Sequence, residues 1–261
     1  MKIKEYAKNN KLIQKIYWWA MNHLYRPQLL KNWKKWNYSS QIAQLKNIHQ
    51  GKRCFIIGNG PSLKIEDLDK LIGEYTFATN KIDRLFPKTQ WRPTYYMLGD
   101  NGFVKHYAKN AIHIPCQKLF VGLQYSDERH RYKEVNNVIF FLKNDVYHNG
   151  IPEVALNLPS EVHAGHTTLF MAAEFAMYMG FSEIYFIGCD CNYEGLNQHF
   201  YSLNEDTGIG AYQVPNTEGE RMICAFGEIG RYGKQFGIKI RNASRGGKLN
   251  SIERVDFDSL F

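Results

Sequence analysis

No run of about 20 uncharged residues occurs in these 261 positions, which excludes a membrane-spanning helix. The opening Met1-Lys-Ile-Lys-Glu-Tyr-Ala-Lys8 also lacks the apolar core of a secretory signal. Cysteine is sparse and odd in number: Cys54, Cys116, Cys189, Cys191 and Cys224, with no C-x-x-C pair. That excludes a paired disulfide framework and reads as small buried residues or free thiols in a reducing cytoplasm. Internal repeats and low-complexity linkers are missing. So are the dinucleotide fingerprint G-x-G-x-x-G and the phosphate loop ending in Gly-Lys-Ser/Thr. What is present is globular: 44% apolar and 15% aromatic residues, in a length that suits one domain or one domain with an appendage.

Acidic residues are almost missing from the first fifty positions. Ten Lys/Arg stand there against one acid, Glu5, a net +9, while the remaining 23 basic and 24 acidic residues leave −1. The same segment holds four of the five tryptophans, Trp18, Trp19, Trp33 and Trp36. Basic side chains interleaved with Trp and Tyr suit an interfacial helix on an anionic membrane. A helical arm packing its aromatics on its own domain or on a second copy fits the same pattern. Nucleic acid is not expected as a partner, because the body is neutral and carries no nucleic-acid motif. The division expected is a basic, Trp-rich arm over 1–50 and a nucleotide-binding body over 51–261, cytoplasmic and peripheral on the inner membrane face. Exposed aromatics in the arm make a homo-oligomer an option.

The body's most informative stretch is Cys54-Phe-Ile-Ile-Gly-Asn-Gly-Pro-Ser-Leu63. An apolar, β-branched run breaks at Gly58-Asn59-Gly60, and Pro61-Ser62 read as the opening of a helix. Unpaired first-turn amides and the helix dipole would favour an anion there, with Gly58 and Gly60 allowing close backbone approach. Asn59 and Ser62 add side-chain hydrogen bonds. The group expected is the phosphate of a nucleotide or nucleotide sugar; a tight strand-to-helix turn with no ligand is the plainer alternative.

Strands are expected at 53–58, 75–79, 94–98, 118–123, 138–142, 182–190 and 238–241, and helices at 65–72, 164–180 and 218–236. This alternation predicts an α/β fold: a Rossmann-type, mainly parallel sheet with helices on both faces. Ligands of such sheets bind beyond the carboxyl ends of the strands. Polar residues gather at those ends: Gly58-Asn59-Gly60, Asn80, Asp100-Asn101, and Asp190 with Asn192-Tyr193. Gly165-His166-Thr167-Thr168 opens the apolar helix and offers a further phosphate or base contact, with His166 as a nucleotide contact or a cap.

Gly58-Asn-Gly-Pro-Ser-Leu63, Asn80, the small-residue helix ending Gly180-Phe181, and Glu183-Ile-Tyr-Phe-Ile-Gly-Cys-Asp190 resemble the small bacterial sialyltransferases that use CMP-activated sialic acid. They also resemble the wider superfamily of 6-hydroxymethylpterin pyrophosphokinase-like proteins, which the tail Arg254-Val-Asp-Phe-Asp-Ser-Leu260 echoes. The likeness runs over about 52–242, with the Gly-Asn-Gly-Pro-Ser and Gly-Cys-Asp blocks its distinctive parts. It implies a glycosyltransferase binding a cytidine nucleotide sugar with no obligatory cofactor or metal. Asn59, Ser62 and Asn80 would then lie near the nucleotide, and Thr167 and Thr168 at the second helix.

The resemblance further implies phosphate-holding tyrosines after the late acid, here Tyr193 and Tyr201, and a histidine base. His199 is the only histidine after Asp190, although it lies nearer the acid than that family's base. Its ordinary pKa suits proton removal from a sugar hydroxyl, and phosphate binding or loop capping are its other readings. The reaction expected is inverting transfer of sialic acid, or a related nonulosonic acid, to a surface glycan or glycolipid acceptor. Two alternatives remain. One is a Mg²⁺-dependent pyrophosphokinase acting on a hydroxymethyl pterin, with Asp100 and Asp190 holding the metal. The other is a non-catalytic nucleotide-binding protein docked on membranes.

Overall fold

Strands buried on both faces need apolar side chains at every position, because helices cover each side of the sheet. The computed structural model, which describes residues 11–195, 197–201 and 214–261, places such runs at the centre of the molecule. They are β1 (Arg53–Ile57), β2 (Tyr75–Thr79), β3 (Tyr95–Leu98), β4 (Lys118–Leu123), β5 (Val138–Asn144), β8 (Val162–His163), β9 (Glu183–Ile187), β10 (Lys239–Asn242) and β11 (Glu253–Arg254). These form one nine-stranded sheet in the order β11-β10-β9-β1-β2-β3-β4-β5-β8. All its pairings are parallel; the antiparallel pair is a separate hairpin, β6 (Tyr147–His148) with β7 (Ile151–Pro152). The expected Rossmann-type α/β architecture is what the chain adopts.

Alternate residues of each strand feed two cores. Ile56, Phe77, Met97, Phe120 and Phe141 pack against α7 (Thr168–Tyr178) and α8 (Asn216–Gln235) through Phe170, Phe175 and Phe226. Phe55, Ile57, Tyr96, Leu98 and Val121 face α5 (Asn101–His106), α6 (Ala108–Ala111) and the carboxyl-terminal Phe257. The short α4 (Ile65–Lys70) joins this second layer through Leu68.

The change in composition near residue 50 is not a change in packing. Helix α1 (Lys11–Ala20) runs through a wider π turn, Met21–Tyr25, into α2 (Arg26–Trp33), and α3 (Tyr38–Ala43) follows. Leu29 and Trp33 are buried in one core, and Ile42 and Leu45 in the other. Arg129 lies over the Trp36 ring, 3.2 Å from its centroid. Side chains from Leu29 to Leu45 thus contribute to both cores. Within α1, Leu12, Ile16, Trp18 and Trp19 remain exposed. Residues 1–10 lie outside the described part.

No helix among the described residues is long and apolar enough to cross a membrane.

Candidate active site at the strand ends

The strand order reverses between β1 and β9, where the chain crosses back over the sheet through α7. Open α/β sheets bind ligands at that kind of switch point. A cavity of about 380 Å³ opens there, at the carboxyl ends of the strands. It brings together Gly58, Asn59, Gly60, Asn80, Asp100, His166, Thr167, Thr168, Asp190, Tyr193, His199 and Tyr201. Of the residues singled out at the strand ends and helix starts, Ser62, Asn101 and Gly165 do not line it.

The Gly-Asn-Gly-Pro-Ser turn differs from expectation in its physics. No helix opens at Pro61; the next helix, α4, begins at Ile65 after Lys64, and it has only six residues. The turn's amides are largely spent on protein. Gly58 donates to Ile187 O at 2.8 Å, Gly60 to Gly188 O at 2.8 Å, and Ser62 to Asp190 Oδ2 at 2.8 Å. The reason for the two glycines is therefore different as well. A Cβ on Gly58 would sit 2.4 Å from Gly188 O, and one on Gly60 would sit 2.6 Å from Asp190 Oδ2. The glycines let two strand-end loops approach each other.

Asp190 is the receiver in this arrangement. Its Oδ1 accepts from the Ser62 hydroxyl and its Oδ2 from the Ser62 amide, and it is buried. Its carbonyl accepts from Lys248 N at 2.6 Å. Ser62 and Asp190 thus hold each other, and they clamp the β1 and β9 loops. Asp100 is similarly occupied: its Oδ1 caps α5, accepting from Gly102 N at 2.7 Å and Phe103 N at 3.1 Å. Of the two carboxylates named for Mg²⁺ in the pyrophosphokinase alternative, Asp190 has both oxygens engaged by Ser62, whereas Asp100 is exposed and only its Oδ1 caps the helix. Among the described residues, no three His, Cys, Asp or Glu side chains converge as a metal site.

Two asparagines do face the cavity with capacity unused. Asn59 Nδ2 donates to Thr79 O at 3.1 Å, while its Oδ1 is buried without a partner. Asn80 Oδ1 is also buried without a partner. Its backbone is left-handed at φ 53°, and its carbonyl accepts from the Tyr96 hydroxyl. His166 (φ 66°) and Cys191 (φ 48°) share this conformation and line the same cavity. Non-glycine residues held there cost about 1–3 kcal/mol each, and such strain collects at ligand sites.

The segment after Asp190 folds over the cavity through one side chain that sequence reading passed over. Gln198 is buried; its Nε2 donates to Tyr193 O at 2.7 Å and Val214 O at 2.9 Å, and its Oε1 accepts from Val214 N at 2.7 Å. Phe200 N reaches Asn59 O at 3.0 Å. These ties bring His199 and Tyr201 into a stack, ring centroids 4.9 Å apart, with Tyr193 edge-on to His199 at 6.4 Å. The cations of Lys81 and Arg84 lie over the Tyr201 ring, 5.5 and 4.8 Å from its centroid. The Tyr193 hydroxyl meets Met222 Sδ at 3.3 Å. The arrangement gathers phenols, an imidazole and two cations at one wall, a set able to meet developing negative charge and to move a proton.

The opposite wall holds Thr167, which caps α7 by accepting from Leu169 N at 3.3 Å, with Thr168 beside it. Tyr147 from the hairpin packs on His166, ring centroids 4.8 Å apart. Burial lowers the His166 pKa and pushes the Tyr147 phenol up to about 12. Lys143, at the end of β5, completes this wall and was also missed in the sequence, where a lysine after an apolar run looks like a solvated strand end.

Among solved structures, the chain resembles the MAf glycosyltransferase of Magnetospirillum magneticum AMB-1, with TM-score 0.54 and 18% identity. That match covers 86% of this chain and 39% of the other, so this protein spans well under half of that neighbour. It also resembles the sialyltransferase CstII of Campylobacter jejuni, solved with cytidine-5'-monophosphate, with TM-score 0.51 and 16% identity over 80% of this chain and 86% of that one. At these identities the likeness is one of fold. No curated protein matches the sequence. A family model does match, across residues 27–195, and the protein belongs to that family: the MptE-like proteins, described as 6-hydroxymethylpterin diphosphokinase MptE-like.

Proposed function

We propose that this protein is a glycosyltransferase that takes a sugar from a nucleotide-activated donor, CMP-linked sialic acid or a related nonulosonic acid, and passes it with inversion to a surface glycan or glycolipid acceptor. The observation that carries the reading is the pair of buried, unpartnered oxygens, Asn59 Oδ1 and Asn80 Oδ1, beside one cavity. A buried acceptor without a donor costs about 1–3 kcal/mol. A ligand bearing N–H or O–H groups, such as a base amine or ribose hydroxyls, would remove that cost. The CMP held by the similarly folded CstII supports a cytidine nucleotide as that ligand.

In this mechanism the leaving phosphate is met by the hydroxyls of Tyr193 and Tyr201, with Lys81 and Arg84 adding positive charge behind Tyr201. Because the Gly58, Gly60 and Ser62 amides are bonded within the protein, the phosphate rests on this side-chain wall rather than on the turn. Departure of the nucleotide leaves an oxocarbenium-like sugar, and His199 takes the proton of the attacking acceptor hydroxyl. No metal enters any step. The exposed apolar residues of α1 support docking on an anionic membrane, where a lipid-linked acceptor would reside.

Family membership favours a second reading, diphosphate transfer from ATP to a hydroxymethyl pterin. The engagement of both Asp190 oxygens by Ser62 speaks against a metal held by that carboxylate. Thermal-shift measurements with CMP, CTP, UDP, GDP and ATP, each with and without Mg²⁺, separate the two. Stabilisation by CMP without metal is the expected result. A response confined to ATP with Mg²⁺ would overturn the transferase reading.

A further inference from the structure

Ile139, Phe141 and Lys143 alternate along β5 and share the face that packs beneath α7. The first two are core residues; the third puts an ammonium group where the pattern calls for a hydrocarbon. Lys143 is only 7% exposed, yet it borders the cavity. Burial lowers its pKa, while Asp145 and Asp100 act to raise it and Arg26 reinforces the lowering.

Neither acid neutralises it by contact. Asp145 Oδ2 accepts from Gln124 Nε2 at 2.5 Å, and Asp100 Oδ1 caps α5. His166 nearby brings no negative charge. The Lys143 ammonium makes no hydrogen bond or ion pair with any described residue. Taking an ammonium out of water costs several kcal/mol unless an opposite charge meets it. The first turn of the 11-residue α7 borders the same corner, with the positive end of its dipole and the Thr168 hydroxyl.

We infer that Lys143, with the start of α7, forms a second anion subsite, which takes a carboxylate or phosphate carried by the substrate pair in addition to the nucleotide's own phosphate. This rests on the nucleotide-sugar reading above. In sheet order β5 lies four strands from β1. At about 4.8 Å per strand the two ends are roughly 19 Å apart, the reach of a nucleoside phosphate with a sugar attached and far more than one phosphate group. Arg26 of α2 donates to Lys143 O at 2.9 Å and to Gln124 O at 3.2 Å, so the amino-terminal helices meet the body at the Lys143 end of the cleft. The anion can therefore come from the donor's sugar, as a carboxylate, or from a lipid-linked acceptor, as a phosphate.

Replacing Lys143 with Met keeps length and burial and removes the charge. Binding of N-acetylneuraminate, glycerol-3-phosphate and CMP to wild type and K143M, each followed by ligand-observed NMR titration, tests the assignment. At least one nucleotide-free anion should bind wild type and weaken ten-fold or more in K143M, with CMP affinity held within two-fold. N-acetylneuraminate as the affected ligand points to the donor, and glycerol-3-phosphate to the acceptor. Absence of both anions from wild type, or equal binding to the two proteins, overturns the subsite. Loss of CMP binding from wild type would instead overturn the nucleotide reading, and the anion titrations would still decide on Lys143. K143R, which restores a cation, should recover the lost affinity.

Discussion

The amide of Phe200 donates to the carbonyl of Asn59 across 3.0 Å, tying the segment that carries His199 and Tyr201 to the turn after β1. Two parts of the cavity wall that lie 141 positions apart in the chain are thereby joined. Gln198 fixes the same segment from its other side. Gln198→Ala should leave part-buried carbonyls of Tyr193 and Val214 without their side-chain donor, at about 1–3 kcal/mol in unfolding free energy. Turnover should fall while affinity for CMP changes little, because the asparagine oxygens are untouched. A variant with normal turnover in steady-state assays would show that the segment needs no such anchoring.

His199→Ala addresses the proton transfer itself. The imidazole is stacked on Tyr201 within the wall assigned to the leaving group. Its loss should lower turnover by about 10²–10⁴ with CMP affinity preserved, the signature of a missing general base. Unchanged turnover on a CMP-sugar donor removes His199 from that role.

Gly58→Ala and Gly227→Ala make an opposed pair. The first forces a methyl to within 2.4 Å of Gly188 O, where both partners are backbone, so the β1 and β9 loops must part. A loss of about 2–4 kcal/mol by urea denaturation is expected, together with weaker nucleotide binding. Gly227 lies inside α8, and the nearest atom to an added Cβ is Ser251 Cβ at 3.4 Å, an ordinary contact. There alanine should stabilise by roughly 0.5–1 kcal/mol through helix propensity. Equal effects at the two sites would refute the loop-contact account.

Most strands were legible because burial on both faces leaves a local mark: β2 and β4 fall where their apolar runs say they should. The helix at Pro61 did not form for a reason no local pattern carries. Asp190, 128 positions away, takes both the amide and the hydroxyl of Ser62 and draws the turn down onto β9. The same distance effect changed the meaning of Gly58 and Gly60, which serve a loop-to-loop contact. Most polar strand ends could be assigned to the cavity because parallel topology places them on one rim. Lys143 and Gln198 could not, since a lone lysine after an apolar run and a lone glutamine in a polar loop become special only through burial. Charge follows composition, whereas Trp33 and Leu29 follow the core, so the basic segment of the sequence is not marked off by its packing.

Glu174 gives a pH dependence remote from the cavity. It is fully buried in α7, and its oxygens accept from Ala155 N at 2.6 Å and His163 N at 2.9 Å. Burial is the larger influence and raises its pKa well above the ordinary 4.5, against the lowering by those two amides. The folded state then holds a proton that the unfolded chain has already released. Stability should be greatest below about pH 4.5 in this contribution and decline as pH rises toward the folded-state pKa, by up to about 1.4 kcal/mol per pH unit. Glu174→Gln removes the titration. The stability of wild type minus that of E174Q, from urea midpoints between about pH 5 and about pH 8, should decrease with rising pH; a flat or rising difference contradicts the assignment.

The final prediction concerns α1. Leu12, Ile16 and Trp19 recur at helical spacing, all are exposed, and Lys15 is exposed beside them. Trp18 is turned instead toward Tyr125, ring centroids 6.0 Å apart, which leaves the other three as the outward apolar face. An amphipathic helix of this kind gains free energy by burying its apolar face at a lipid boundary, and its lysines gain from anionic headgroups. The double variant Ile16→Ser with Trp19→Ser removes about 2–4 kcal/mol of that burial. Co-sedimentation with phosphatidylglycerol-containing vesicles should fall at least ten-fold, and wild-type binding should weaken as salt screens the charge. Thermal stability should hold, because neither side chain is part of a core. If the variant sediments as wild type does, or wild type binds purely neutral vesicles equally well, the helix is not an anionic-membrane anchor and its exposed face must serve a protein contact.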